Sequence, residues 1–236
     1  MTMTARPALP DLATPGGLFD RLRTAARPSW DRYIRHDFVR GMGDGTLPAA
    51  SFRHYLVQDY LFLIHFARAY ALAAFKADDL ADMRAAASSM SALLDLEMGL
   101  HIKYCSGWGI DEAAMQAMPE AQATLAYTRY VLERGVAGDL LDLHVALAPC
   151  IVGYAEIAAH LMADPATVLD GNPYADWIAM YADPEYRKVA AAQVALLDRL
   201  GVKRGADARF ADLTRCFDAA SRLEAGFWDM GMGLLP

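Results

Sequence analysis

The stretch ALAPCIVGYAEIAAHL, residues 146–161, has the apolar spacing of a buried helix and sets a thiol, Cys150, directly after a proline in the helix interior. Pro149 withholds the hydrogen bond that the Val145 carbonyl would receive and presses its ring on the preceding turn, a local cost of about 3 kcal/mol, so a kink is expected at 145–149. Tyr154 follows Cys150 by one turn on the same face. Two readings of the thiol stand: a small hydrophobe in the core, or a nucleophile with a phenol beside it.

Two carboxylates are equally out of place. Asp59 is the only acid in VQDYLFLIHFA, residues 57–67, a stretch apolar nearly all the way round. Burying it alone would cost several kcal/mol, so it requires a partner, such as an Arg or Tyr on a neighbouring helix, or a ligand. Glu224, in CFDAASRLEAGFWDMGM, has Phe217, Phe227 and Trp228 at i−7, i+3 and i+4. It is either a solvated helix glutamate or a general acid or base in apolar surroundings. The aromatics Tyr60, Phe62, Phe66, Tyr127, Tyr130, Tyr154, Trp177 and Tyr181 sit on segments that could face one cavity and favour a flat ligand, or form a core.

The six histidines include two i, i+4 pairs with acids, Glu97–His101 and Glu156–His160. The carboxylate-bridged di-iron bundle uses an acid three residues before His, and none of the six has one, so no metal site is expected. No spacing favours haem.

The elements that must carry these residues are helices. Ala, Leu and Met dominate, long alternating runs of Val, Ile or Thr are missing, and the class is all-α. Helices are expected at about 17–36, interrupted near Pro28, then 48–76, 78–106, 119–136, 138–163, 173–182, 184–201 and 207–230. GMGDGTLP, GWGIDE, DGNP and ADPEY punctuate them. Several exceed 20 residues without an internal repeat, which favours a bundle around a central pocket. The expected organisation is a loose tail over 1–17 and a single helical domain over 18–236.

A chain of 236 residues with 55% hydrophobic residues has no uninterrupted run of 18 apolar residues, so no membrane partner is expected. The N-terminus has no secretory pattern, and three separated cysteines, Cys105, Cys150 and Cys216, suit a reducing compartment, so a cytoplasmic location is expected. The net charge of −7, with no basic stripe, argues against nucleic acid.

Six segments in order, FVRGMGDGTLPAASFRHYLVQDYLFLIHFA, LEMGLH, AYTRYVL, ALAPCIVGYAEI, YADWIAMYAD and LEAGFWDMGM, together resemble the TenA (thiaminase II) family in its cysteine-containing form, from about Phe19 to Met232. The resemblance implies a haem-oxygenase-like fold without haem or other cofactor, a homotetramer, and a hydrolase of aminopyrimidines in thiamin salvage. Its reaction would convert 4-amino-5-aminomethyl-2-methylpyrimidine and water to the hydroxymethyl pyrimidine and ammonia, with thiamin itself a second candidate substrate. Carried over by position, it makes Cys150 the nucleophile, sets Glu224 on a ring nitrogen and sets Asp59 on the exocyclic amine. Tyr127 and Tyr181 would line the pocket, and Tyr154 would support the thiol. Phe62 stands where the family often has Tyr, which keeps a stacking wall but loses a hydroxyl. Two other classes remain open, a helical oxidase of the same fold, di-iron or cofactor-free, and a non-catalytic regulator.

Overall fold

The computed structural model describes residues 9–233, so residues 1–8 of the expected tail and the last three of the expected domain lie outside the description. Twelve α-helices are present among the described residues, with no strand. In order they are α1 (Leu18–Ala25), α2 (Arg27–Ile34), α3 (Asp37–Asp44), α4 (Ala49–Lys76), α5 (Leu80–Ala92), α6 (Met98–Gly107), α7 (Glu112–Ala117), α8 (Gln122–Ala137), α9 (Leu140–Ala163), α10 (Ala175–Ala182), α11 (Pro184–Lys203) and α12 (Phe210–Gly231). Residues 9–47 and 147–228 make one compact unit, and residues 48–146 and 229–233 another.

Two helices fall where the sequence reads as loop. GMGD closes α3, because His36 caps its start, accepting the Phe38 N–H on Nδ1, and Gly45 ends it at φ 77°. Its glycines serve packing: a Cβ on Gly43 would come within 2.7 Å of Leu161. The short α7 is started by Asp111, whose carboxylate accepts the Ala114 N–H. The expected helix over 78–106 is continuous in outline but passes through a π-helical turn at Leu93–Glu97 between α5 and α6.

In the first unit, an aromatic core joins helices distant in sequence. Trp30 of α2 stacks on Phe217 of α12, and Phe19 of α1 meets both edge-on. The start of α1 is capped from α11: Asp198 Oδ1 accepts the Leu18 N–H at 2.7 Å, a closeness that requires glycine at position 17, where any Cβ would meet that carboxylate at 2.6 Å. Asn172 ties the end of α3 to the following loop, donating from Nδ2 to the carbonyls of Met42, Gly43 and Val168.

The second unit is built on α4, whose sequence is apolar all round because it is buried on most sides. Its internal polar residue Gln58 is fully used. The amide donates to the Pro119 carbonyl, and its oxygen accepts the Ala121 N–H and the Thr124 hydroxyl, which fixes the start of α8. Gly135 lets α8 approach closely, since a Cβ there would meet Leu72 at 2.7 Å and Leu143 at 2.9 Å.

The helix α9 is long and apolar enough to cross a membrane by length and composition, but 72% of its most apolar stretch is buried inside the protein, as befits a core helix.

Gln58→Leu leaves a carbonyl, an amide and a hydroxyl without their partner, a loss of about 1–3 kcal/mol per orphaned group. Thermal unfolding should show a midpoint lowered by several degrees, and an unchanged midpoint would contradict this role.

Candidate active site

Pro149 does not break α9, which runs unbroken through it. The turn that carries the thiol is fastened from outside instead. The Tyr33 hydroxyl of α2 donates to the Pro149 carbonyl at 3.2 Å, and the Tyr186 hydroxyl of α11 donates to the Ile151 carbonyl at 3.1 Å. The backbone on both sides of Cys150 is thereby held by phenols from two other helices. Tyr33 can lie this close only because residue 153 is glycine, since a Cβ there would fall 2.3 Å from the ring.

Of the three thiols, Cys105 and Cys216 are buried and Cys150 is half-buried. Burial pushes the Cys105 thiol up to about 11 against the opposing charge of Arg53, which keeps it protonated and inert. Cys150 is therefore the most exposed of the three thiols.

Tyr154, one turn along α9, belongs to an aromatic cluster. Tyr154 packs on Tyr181 at 4.9 Å between centroids, on Trp177 at 5.8 Å and on Trp228 at 5.6 Å. Trp228 in turn stacks on Phe38 at 4.9 Å and on Tyr33 at 6.3 Å. One turn before Trp228 on α12 stands Glu224, only 1% exposed, so the reading of it as a solvated helix glutamate is set aside. The first unit thus brings together a half-buried thiol, a phenol one turn away, and a helix with a buried carboxylate packed on that phenol through Trp228.

The second unit holds Asp59, Phe62 and Tyr127. Phe62 lies 5.0 Å from Tyr127 and 5.1 Å from Phe66, a three-ring wall on α4 and α8. Tyr60 is turned elsewhere: its hydroxyl donates to Glu112 and accepts from Gln116, both on α7. Tyr130 is half-buried. The aromatics grouped by sequence therefore sort into separate clusters, one in each unit.

Asp59 has its partners. Its Oδ2 accepts the Tyr55 hydroxyl at 3.0 Å and lies 2.7 Å from His101 Nε2. The other ring nitrogen, Nδ1, is 2.8 Å from the Glu97 carbonyl. A carbonyl can only accept, so Nδ1 carries a proton, and a second proton must lie between Nε2 and Oδ2. Burial pushes the fully buried imidazole down, but the hydrogen bond and charge of Asp59, with Glu97, outweigh it and raise its pKa above the usual value. The carbonyl that His101 uses stands at the end of the π-helical turn, at Glu97.

Sequence reasoning missed His101, Tyr33 and Tyr186. The signal for His101 was present: LEMGLH repeats an acid and a histidine at i, i+4, and a buried aspartate needs a proton-bearing partner. Tyr33 and Tyr186 act on backbone carbonyls 116 and 35 residues away and leave no trace in local spacing. Among the described residues no group of three or more His, Cys, Asp and Glu side chains is placed to hold a metal ion.

Replacing one partner of a buried ion pair costs about 3–5 kcal/mol. His101→Phe should show that loss in urea unfolding, with part of it recovered in Asp59→Asn/His101→Phe. Because the folded pKa of His101 is raised, its stabilisation is whole below its unfolded value of about 6.5 and is lost as pH rises through the folded value. The stability gap between wild type and His101→Phe should therefore narrow towards alkaline pH, and a gap that widens there would contradict the pairing.

Residues 23–234 match the TENA/THI-4/PQQC family. The chain is 38% identical over 205 residues to a protein of Halalkalibacterium halodurans named aminopyrimidine aminohydrolase, covering 87% of this chain and 91% of that one. It is similar to the crystal structure of a TenA family transcription regulator from Silicibacter sp. TM1040, at TM-score 0.86 and 44% identity over 94% of this chain and 98% of that one. A domain from Shewanella denitrificans described as having a heme oxygenase-like fold superposes at TM-score 0.70, with 16% identity over 92% of each chain, which places the fold in that class. The chain belongs to the TENA/THI-4/PQQC family.

Proposed function

We propose that the protein is an aminopyrimidine aminohydrolase of the thiaminase II type, converting 4-amino-5-aminomethyl-2-methylpyrimidine and water to the hydroxymethyl pyrimidine and ammonia in thiamin salvage. The observation that carries this reading is the pairing, in one unit, of a half-buried thiol on a braced helical turn with the buried carboxylate Glu224. The curated relative of that name, similar over nearly its whole length, supports it.

The chemistry uses each group once. The Cys150 thiolate forms a bond to the ring carbon beside the one bearing the aminomethyl group, and the displaced electron pair moves to a ring nitrogen that Glu224 protonates. The pair then returns through the ring and expels the substituent, which leaves from its protonated –NH3+ form as ammonia, giving an exocyclic methylene; the ammonia accepts the proton that the added water later loses. Water adds to that methylene and loses a proton. Glu224 takes back the ring-nitrogen proton as the carbon–sulfur bond breaks, which regenerates the thiolate and the aromatic ring. Covalent addition thereby divides one difficult substitution into easier steps.

The other residues bind and orient. Tyr154, one turn after Cys150, holds the thiol, and Tyr181 supports Tyr154 and lines the wall. Asp59, held in place by His101 and Tyr55, accepts from the exocyclic amine. Phe62 and Tyr127 offer flat faces to the ring. Phe62 provides no hydroxyl, so a leaving group that needs none suits this wall.

The proposal extends to a homotetramer in the cytoplasm. Phe75 at 84% and Leu80 at 62% exposure, beside Met83, put large apolar side chains at the end of α4 and on α5, as a subunit contact would. The three cysteines are all free, as in a reducing compartment.

Chromatographic detection of hydroxymethyl pyrimidine released from the aminomethyl pyrimidine, and separately from thiamin, tests the reaction. Cys150→Ala should lower kcat by at least about a thousandfold with the fold intact, and Glu224→Gln by about 10² to 10⁴. Normal turnover by Cys150→Ala would remove the nucleophile from this scheme. Sedimentation of the wild type should give four chains per particle, and Phe75→Glu should reduce that number.

A further inference from the structure

On the side of α9 turned away from Cys150 the structure holds a cavity of about 250 Å³. At 100° per residue, Val152, Glu156, Ala159 and Ala163 fall roughly opposite Cys150, so the helix itself separates this cavity from the thiol. It lies wholly within one unit, closed on its outer side by residues 9–12 and reached by Arg23 and Arg187.

Its polar groups are unevenly satisfied. Arg23 is committed: its two terminal nitrogens hold both oxygens of Asp11, at 3.0 and 2.8 Å, and also reach Asp20 and Glu156, each at 3.3 Å. Arg187 donates to the Pro10 carbonyl and feels the charge of Asp11 nearby, but makes no ion pair among the described residues. Glu156 uses only one oxygen, Oε2, in its long contact with Arg23. His160, one turn beyond Glu156, has its Nδ1 buried with no hydrogen-bond partner in the structure. Burial pushes this imidazole down, with the charge of Arg35 adding to the effect and Glu156, Asp31 and Asp164 opposing it.

Across the walls the charges of Arg23, Arg187, Asp11 and Glu156 cancel, so neither a bare anion nor a bare cation is favoured. One cation and one anion are nevertheless left incompletely paired, an imidazole nitrogen awaits a partner, and the remaining wall is aliphatic. We infer that this cavity is a binding site for a small zwitterion, an aliphatic α-amino acid, with its carboxylate on Arg187, its ammonium on Glu156 and its side chain against Val152 and Ala159. The volume lies just below the range of about 300–1,000 Å³ typical of drug-sized ligands, which suits a molecule of fewer than ten heavy atoms. The inference does not depend on the reaction assigned to Cys150.

Calorimetric titration of the purified full-length protein with L-valine tests it, beside 3-methylbutyrate, which lacks the amine, and isobutylamine, which lacks the carboxylate. One saturable valine site per chain is expected, with each half-analogue at least about tenfold weaker, a difference of about 1.4 kcal/mol. Arg187→Met and Glu156→Gln should each weaken valine binding by a similar factor. In the wild type, valine should shift the ¹⁵N resonance of His160 Nδ1, a readout that needs no variant. The absence of saturable valine binding would overturn the inference. So would valine binding that both variants leave unchanged, or 3-methylbutyrate binding as tightly as valine.

Discussion

A helix that carries a proline in its interior gives up a backbone hydrogen bond and gains freedom just where α9 presents its thiol. Here that freedom is removed by two phenols. Tyr33 and Tyr186 donate to the carbonyls of Pro149 and Ile151, so the residue between them has its backbone pinned on both sides. Much of the first unit follows from this arrangement. Tyr33 needs Gly153 in order to approach, and its ring stacks on Trp228. Trp228 supports Tyr154, and the helix that supplies Trp228 also supplies Glu224. The aromatic packing thereby fixes the helical turn that carries Cys150.

Asp59 meets the same demand by different means. A carboxylate on a helix buried on most sides survives only with partners, and His101 and Tyr55 are those partners. The Glu97 carbonyl, at the end of the π-helical turn Leu93–Glu97, takes the Nδ1 proton of His101 and leaves Nε2 facing Asp59. Both contacts fall on Oδ2.

The helix α9 has two uses. One face carries Cys150 and Tyr154, and the other carries Glu156 and His160, an acid–histidine pair at i, i+4. In the structure Glu156 reaches towards Arg23, while His160 keeps a buried nitrogen without a partner, which places that pair in a cavity of its own. The N-terminal residues 10 and 11 complete that wall through Arg187 and Arg23.

The all-α class and the course of α4, α8, α9, α11 and α12 could be read from the sequence because apolar periodicity and capping residues are local properties. Cys150, Asp59 and Glu224 could be singled out for a related reason: a thiol behind a proline, or an acid in an apolar stretch, conflicts with its immediate neighbours. The helix α3 was hidden because its glycines read as a turn until Leu161, more than a hundred positions away, explains why they must be small. Tertiary structure alone decided which thiol is most exposed, that Glu224 is buried, that His101 is the partner of Asp59, and that Tyr33 and Tyr186 brace the thiol. Each of those depends on contacts between helices distant in sequence, where burial and hydrogen-bond geometry are set by packing, and spacing along one helix carries no record of them.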